Sequence, residues 1–198
     1  VRRALIISIV AVVACDSSQK VTCAAGFIGD PSKPPQAVLL YTDGVSQLLS
    51  EARAAQAIPL EPPPQGGYVM YLAARVLNMD ACVEFRGSLI DPVRGTQVGF
   101  DARDSTLQRR DGWGWPDASS NSNLSNVNGC PDYSVRDIQG QTYTLKMTVA
   151  DRDGRTVSVT QPIVPTCMLS DGTTQADCIC VCSANYVLGK CSTAAARF

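Results

Sequence analysis

Histidine is absent from all 198 residues. That gap removes the Ser-His-Asp and Cys-His nucleophilic arrangements and every metal site that needs an imidazole. Neither sign of charge dominates: 17 Lys and Arg stand against 18 Asp and Glu, for a net charge of −1. The basic residues are mostly arginines and are scattered rather than clustered, so they read as solvated surface and no nucleic-acid partner is expected. Aromatic residues make up only 6% of the chain. No apolar run reaches the ~20 residues that a membrane-spanning helix needs. No motif calls for a cofactor or a metal, and an enzymatic role is not expected.

What is present begins at the N-terminus. Arg2 and Arg3 precede ten uncharged, mostly apolar residues, 4–13, followed by Ala14 and Cys15. A basic start, a short apolar core and a small residue before the cut describe an export signal. The run Val12-Val13-Ala14-Cys15 resembles the lipobox of bacterial lipoproteins, whose cysteine is lipidated and becomes the new N-terminus. That resemblance implies a signal peptide at residues 1–14, acylation (palmitate among the chains) at Cys15, and a protein held to its membrane by lipid. A single acyl chain binds only marginally, whereas two or three anchor stably. Val1 suggests an alternative bacterial start codon. A twin-arginine route lacks its usual flanking residues. Asp16 sits where some bacteria read inner-membrane retention, which leaves the choice of membrane open. The expected location is therefore the cell envelope, outside the cytoplasm.

The nine cysteines become an even number once Cys15 is assigned to lipid. Cys23, Cys82, Cys130, Cys167, Cys178, Cys180, Cys182 and Cys191 then read as four disulfides in an oxidising compartment. Five of the eight lie from Cys167 onward, so an odd cluster must send at least one bond outside itself. The expected pairs are Cys82 with Cys130, and Cys23 with one of the terminal five. Cysteine-only metal binding is the sharper reading of Cys178-x-Cys180-x-Cys182, but exported thiolates usually become disulfides.

After Cys15, residues 15–36 are polar and carry Lys33-Pro34-Pro35, which reads as a mobile tether. The main domain is expected over residues 37–166. An apolar run, 37–41, closes at Thr42-Asp43-Gly44, a hairpin signal. Residues 45–57 contain helix formers, so the expectation there is a hairpin followed by a short helix or loop. Pro62-Pro63-Pro64-Gln65-Gly66-Gly67 is a stiff break. Beyond it, residues 68–77 and 82–89 read as strands, with 97–100 and 105–107 as shorter candidates. Residues 112–129, rich in Asn, Ser and Gly, read as a long loop. Residues 143–149 alternate strictly between apolar and polar, as a half-buried strand does. Asp151-Arg152-Asp153-Gly154 then turns the chain, and Val157 and Val159 restore the inward face.

That last hairpin resembles the terminal strand pair of immunoglobulin-like and PKD-like bacterial domains. The resemblance implies a mainly β fold, an immunoglobulin-like β-sandwich with a flexible N-terminal tether and a small cysteine-rich tail over residues 167–198. The whole chain also resembles uncharacterised exported lipoproteins of this build. Within the tail, Cys180-Val181-Cys182 with Tyr186, Gly189 and Cys191 resembles the closing half of an EGF-like module.

Three groups are candidate sites. Trp113 and Trp115 alternate around Gly114, so both rings face one way in an extended segment, where they could stack on a sugar or grip a protein. Glu84 with Asp101, Asp104 or Asp111 could supply paired carboxylates for glycan chemistry. Asp151 and Asp153 could offer oxygens to calcium, but the sequence lacks the further ligands of a calcium loop, and a plain hairpin turn is favoured. The expected role is non-catalytic, structural or protein-binding, in the cell envelope. The alternative is a carbohydrate-binding or carbohydrate-active protein using Trp113 and Trp115. Ligand, partner and oligomeric state are not legible in the sequence.

Overall fold

The computed structural model describes residues 25–43, 46–132 and 135–191. The leader, Cys15 and Cys23 lie outside the described residues. The described chain is mainly β-structure, with strands β1 (Phe27–Ile28), β2 (Gln36–Thr42), β3 (Ser50–Glu51), β4 (Gln56–Pro59), β5 (Tyr68–Leu77) and β6 (Met79–Asp80). These are followed by β7 (Cys82–Ile90), β8 (Gln97–Arg110), β9 (Trp113–Pro116), β10 (Ser125–Cys130), β11 (Tyr143–Asp151) and β12 (Thr156–Thr166), and by one helix, α1 (Gly172–Val181).

The strands form two layers. One runs β8-β7-β11-β12-β4, antiparallel except for the parallel pair β12–β4. The other runs β3-β2-β5, with the far edge of β5 shared by β10 along Tyr68 to Leu72 and by β9 at Val76. β8 belongs to both layers: residues up to Thr106 pair with β7, and Leu107 to Arg110 pair with β9. The period-two pattern decides which side chains meet. β7 turns Val83, Phe85 and Leu89 inward, and β11 turns Tyr143, Leu145, Met147 and Val149 inward, all buried. Gly87 shows how close the layers come, since a Cβ there would lie 2.4 Å from Val127 Cγ2 on β10. β5 is apolar on both faces, and Arg75 is the one charged residue in its run.

The alternating 143–149 segment and its return form β11 and β12, with Met147 opposite Val159 and Val149 opposite Val157. The turn is capped from within. Asp151 accepts the backbone N–H groups of Asp80 at 3.0 Å, Asp153 at 3.0 Å and Arg155 at 2.8 Å. Its carboxylate therefore ties the hairpin to β6.

Several expectations are corrected. Residues 25–36 are not a loose tether: β1 pairs with β6, and Ile28 is fully buried. Arg109 donates to the carbonyls of Ala25 and Phe27, and Arg155 donates to those of Pro31 and Lys33, so two guanidiniums strap this segment down. β2 pairs with Ser50–Glu51, while part of the Asp-Gly turn, residues 44 and 45, lies outside the described residues. No helix forms in the described part of residues 45–57; Gln56–Pro59 instead joins β12 as an edge strand. The two short candidates at 97–100 and 105–107 are one strand of 14 residues. The expected loop at 112–129 holds β9 and β10. Trp113 and Trp115 pair with Arg110 and Gln108, while Gly114 faces inward, where a Cβ would lie 2.4 Å from Ile28 Cδ1.

The disulfides are Cys130–Cys182, Cys167–Cys178 and Cys180–Cys191. Cys82 is also disulfide-bonded. The expected Cys82–Cys130 pair is thus excluded, and all five terminal cysteines are taken without Cys23. The odd tail cluster does send one bond outside itself, to Cys130 at the end of β10, because α1 lies against that end. Asp171 caps α1 by accepting Thr174 N–H at 2.8 Å. Tyr68 Oη donates to Asp177 at 2.7 Å, fastening the helix to β5. The tail is therefore part of the domain, with Cys167, Cys178 and Cys182 buried in its core. No described helix is long and apolar enough to cross a membrane.

Candidate functional site

The two ends of the domain differ in character. At the near end, where β1 and β6 pair, an open cleft of about 990 Å³ is lined by Glu84, Arg86, Asp104, Asp117, Arg152 and Asp153 among others. β7 and β8 place Glu84 directly opposite Asp104, so this expected carboxylate pair is brought together. Asp101 is not part of it, being bonded to Arg103 at 2.9 Å and to Asn126 N–H at 2.9 Å. Asp111 sits apart in an exposed turn. Glu84 is gripped by Arg86 at 2.5 Å, and Asp104 is exposed. Acid–base chemistry depends on two carboxyls held in contrasting environments; here one is engaged by a guanidinium and the other faces open solvent.

Trp113 and Trp115 lie side by side, as their spacing requires, half-buried on the outer face of the layer that holds β5. What sits over them is not legible from their spacing. Arg75 projects from the neighbouring β5, with its guanidinium 4.9 Å from the Trp113 ring centroid and 5.2 Å from that of Trp115. Arg110 lies 4.9 Å from Trp115. Glu51 on β3 completes the row by pairing with Arg75 at 2.5 Å. The indoles are thus built into a cation–π array that ties β3, β5, β9 and β8 together.

Glu61 is a further titrating group that the sequence did not single out. Burial, with the charge of Asp43 adding to it, pushes its carboxyl up to about 7. Burial also raises the neighbouring Tyr71 phenol, and the charge of Glu61 adds to that rise.

The far end is built from three loops locked together. Asp91 accepts the Val93 N–H at 2.9 Å and Arg136 Nη1 at 2.8 Å. Burial opposes ionisation of Asp91, but that N–H and the guanidiniums of Arg136 and Arg94 outweigh it and hold the carboxyl below its usual range. Arg136 also stacks on Tyr143, 4.6 Å from its centroid. Burial pushes the Tyr143 phenol up to about 12. Ile138 N–H donates to Cys182 O at 2.9 Å, and Ala184 N–H to Asp137 at 2.7 Å, binding the tail to the same loops. Against this frame the apolar side chains of Val93 (78% exposed), Val135 (82%) and Leu188 (76%) stand in solvent. A groove of about 480 Å³ reaches Leu188 and is lined by Pro62, Tyr68, Pro131, Val181 and Tyr186 as well. An ordered frame presenting apolar side chains is what a docking surface requires.

No protein-family model, curated protein or solved structure matches this chain. Its functional reading rests on its own residues.

Cys178, Cys180 and Cys182 do not act as one ligand set. Cys180 turns away to Cys191. The metal-competent grouping found among the described residues is instead Cys167, Cys178 and Cys182, whose sulfurs lie within 4.8 Å of one another while engaged in disulfides.

Proposed function

We propose that this protein is a lipid-anchored extracytoplasmic binding module that docks another envelope protein through its far end. The observation that carries the reading is the pairing of a covalently stapled frame with exposed Val93, Val135 and Leu188 on its rim. Three disulfides in the described chain support an oxidising compartment. Lipidation at Cys15 is supported by the sequence of the leader. Only nine residues separate Cys15 from Ala25, and the ten steps between them, at ~3.3–3.6 Å each, reach ~36 Å at most. Such a short leash keeps the β1–β6 end near the bilayer and turns the opposite end outward.

An immunoglobulin-like ancestry of the sandwich is supported by Tyr143. It opens β11, and its hydroxyl donates to Asp137 O at 3.1 Å, the arrangement of a tyrosine corner. A glycan-binding role for Trp113 and Trp115 is the second reading. A sugar stacking there would have to displace the guanidiniums of Arg75 and Arg110, so protein docking takes precedence.

The test is site-specific photocrosslinking in intact cells. A photoreactive residue at Val135 or Leu188 is expected to trap the same protein from either position, with no adduct from Ser158 on the flat outer face of β12. Equal adducts from Ser158, or none from Val135 and Leu188, would overturn the assignment. In the same cells Cys15→Ala should move the protein from the membrane fraction to the soluble one.

A further inference from the structure

Two disulfides, Cys130–Cys182 and Cys167–Cys178, sit side by side beneath α1, and all four cysteines are buried. Cys178 and Cys182 stand four residues apart on or next to α1, so they share one helix face. Cys167 comes from the end of β12 and Cys130 from the end of β10. Three separate elements thus converge on a single knot of sulfur. The sulfurs of Cys167, Cys178 and Cys182 lie within 4.8 Å of one another, and that of Cys130 lies 2.06 Å from Cys182. Backbone and side-chain hydrogen bonds also hold these cysteines, beside the disulfides. Cys182 N–H donates to Cys178 O, Ile138 N–H to Cys182 O, and Gln175 Nε2 to Cys167 O at 2.6 Å.

We infer that these four cysteines form a redox-gated site for a thiophilic metal ion such as Zn²⁺, closed while oxidised and open once both disulfides are reduced. The geometry needed is small in extent. Four thiolates around zinc at ~2.3 Å place neighbouring sulfurs ~3.8 Å apart. Ligation asks each disulfide to open and the three sulfurs already within 4.8 Å of one another to settle at that spacing. Cys130 joins the set as the bonded partner of Cys182. Each disulfide takes two electrons and two protons from a dithiol, which closes to its own cyclic disulfide. The four resulting thiols release four protons as the ion binds, and metal–sulfur bonds replace sulfur–sulfur bonds as the staple. A chain passing through a reducing compartment before oxidation would then have the tail already docked by metal.

The experiment uses the full chain, reduced with a phosphine, freed of it under argon, and titrated with Co²⁺. The expected result is one tightly bound cobalt per chain with the intense visible bands of a tetrahedral thiolate site, displaced by Zn²⁺. Cys178→Ser/Cys182→Ser should abolish those bands, and Cys180→Ser/Cys191→Ser should keep them. Far-UV circular dichroism followed alongside should show β-structure retained or regained with the metal. Absence of tetrahedral bands overturns the inference. So does an unfolded reduced chain that takes up cobalt equally in both variants, because binding would then reflect loose thiols rather than this cluster.

Discussion

Replacing both ends of the tail-to-domain bond, Cys130→Ala/Cys182→Ala, isolates what that crosslink contributes. The cysteines stand 52 residues apart. Restricting a loop of that length in the unfolded chain stabilises the native state by about 4 kcal/mol in the chain-entropy treatment. The nested Cys167–Cys178 bond shortens the loop and lowers this by only about 0.2 kcal/mol. Cys180–Cys191 spans 11 residues, which the same treatment values at about 3 kcal/mol. Much of that smaller contribution acts on the outermost turn of the tail and need not reach the sheets. Equilibrium urea unfolding, followed by tryptophan fluorescence from β9, is the assay. With a slope of about 2 kcal/mol/M, the long-loop variant should lose about 2 M in midpoint. The Cys180→Ala/Cys191→Ala variant should lose clearly less in the same fluorescence signal. A long-loop variant that unfolds at the wild-type midpoint, or above the short-loop variant, would refute the claim that the tail is stapled into the domain's cooperative core.

Two further outcomes follow from the side-chain arrangements. Arg75→Ala removes two ring contacts, each worth about 0.5–1 kcal/mol, and a half-buried ion pair worth up to about 1 kcal/mol, so thermal or urea melts should show a loss of about 2 kcal/mol together with a shifted tryptophan emission. Glu61 gives a pH signature: its carboxyl is raised on folding, so the folded chain holds that proton more tightly than the unfolded chain. Its stabilising effect is complete below the ordinary value of 4.5 and is lost as pH rises through about 7. Glu61→Gln should flatten the decline in melting temperature between those limits, and an unchanged profile would rule out Glu61 as its source.

The parts of the fold readable from the chain were those with a strong local period. The 143–149 segment alternates so strictly that its pairing with Val157 and Val159 follows from side-chain direction alone. The shared orientation of Trp113 and Trp115 follows from the same rule. Cysteine parity required an outward bond from the tail, but not its target, since that depends on where α1 packs. β9 and β10 were hidden because Gly, Asn and Ser dominate their composition. They are strands through tertiary context: Gly114 is small because Ile28 presses on it, and Val127 of β10 fills the space that Gly87 leaves open. The strap at residues 25–36 was missed for a similar reason. Its anchors, Arg109 and Arg155, are more than 70 residues away in sequence and resemble ordinary surface charge. Glu84 and Asp104 could be suspected as a pair, yet only the strand register put them face to face. The rim of Val93, Val135 and Leu188 left no trace in the sequence, because isolated apolar residues in loops look alike until the loops are assembled.

The strand Gln97–Arg110 enters one layer and leaves through the other, so the two layers share one continuous strand although each keeps ladders of its own. Amide protons bonded to β8 from β7 and from β9 should therefore change their exchange together when that strand is perturbed. A mutation at the crossing point near Thr106 and Leu107 would be felt both by the cleft beside Glu84 and by the tryptophan face.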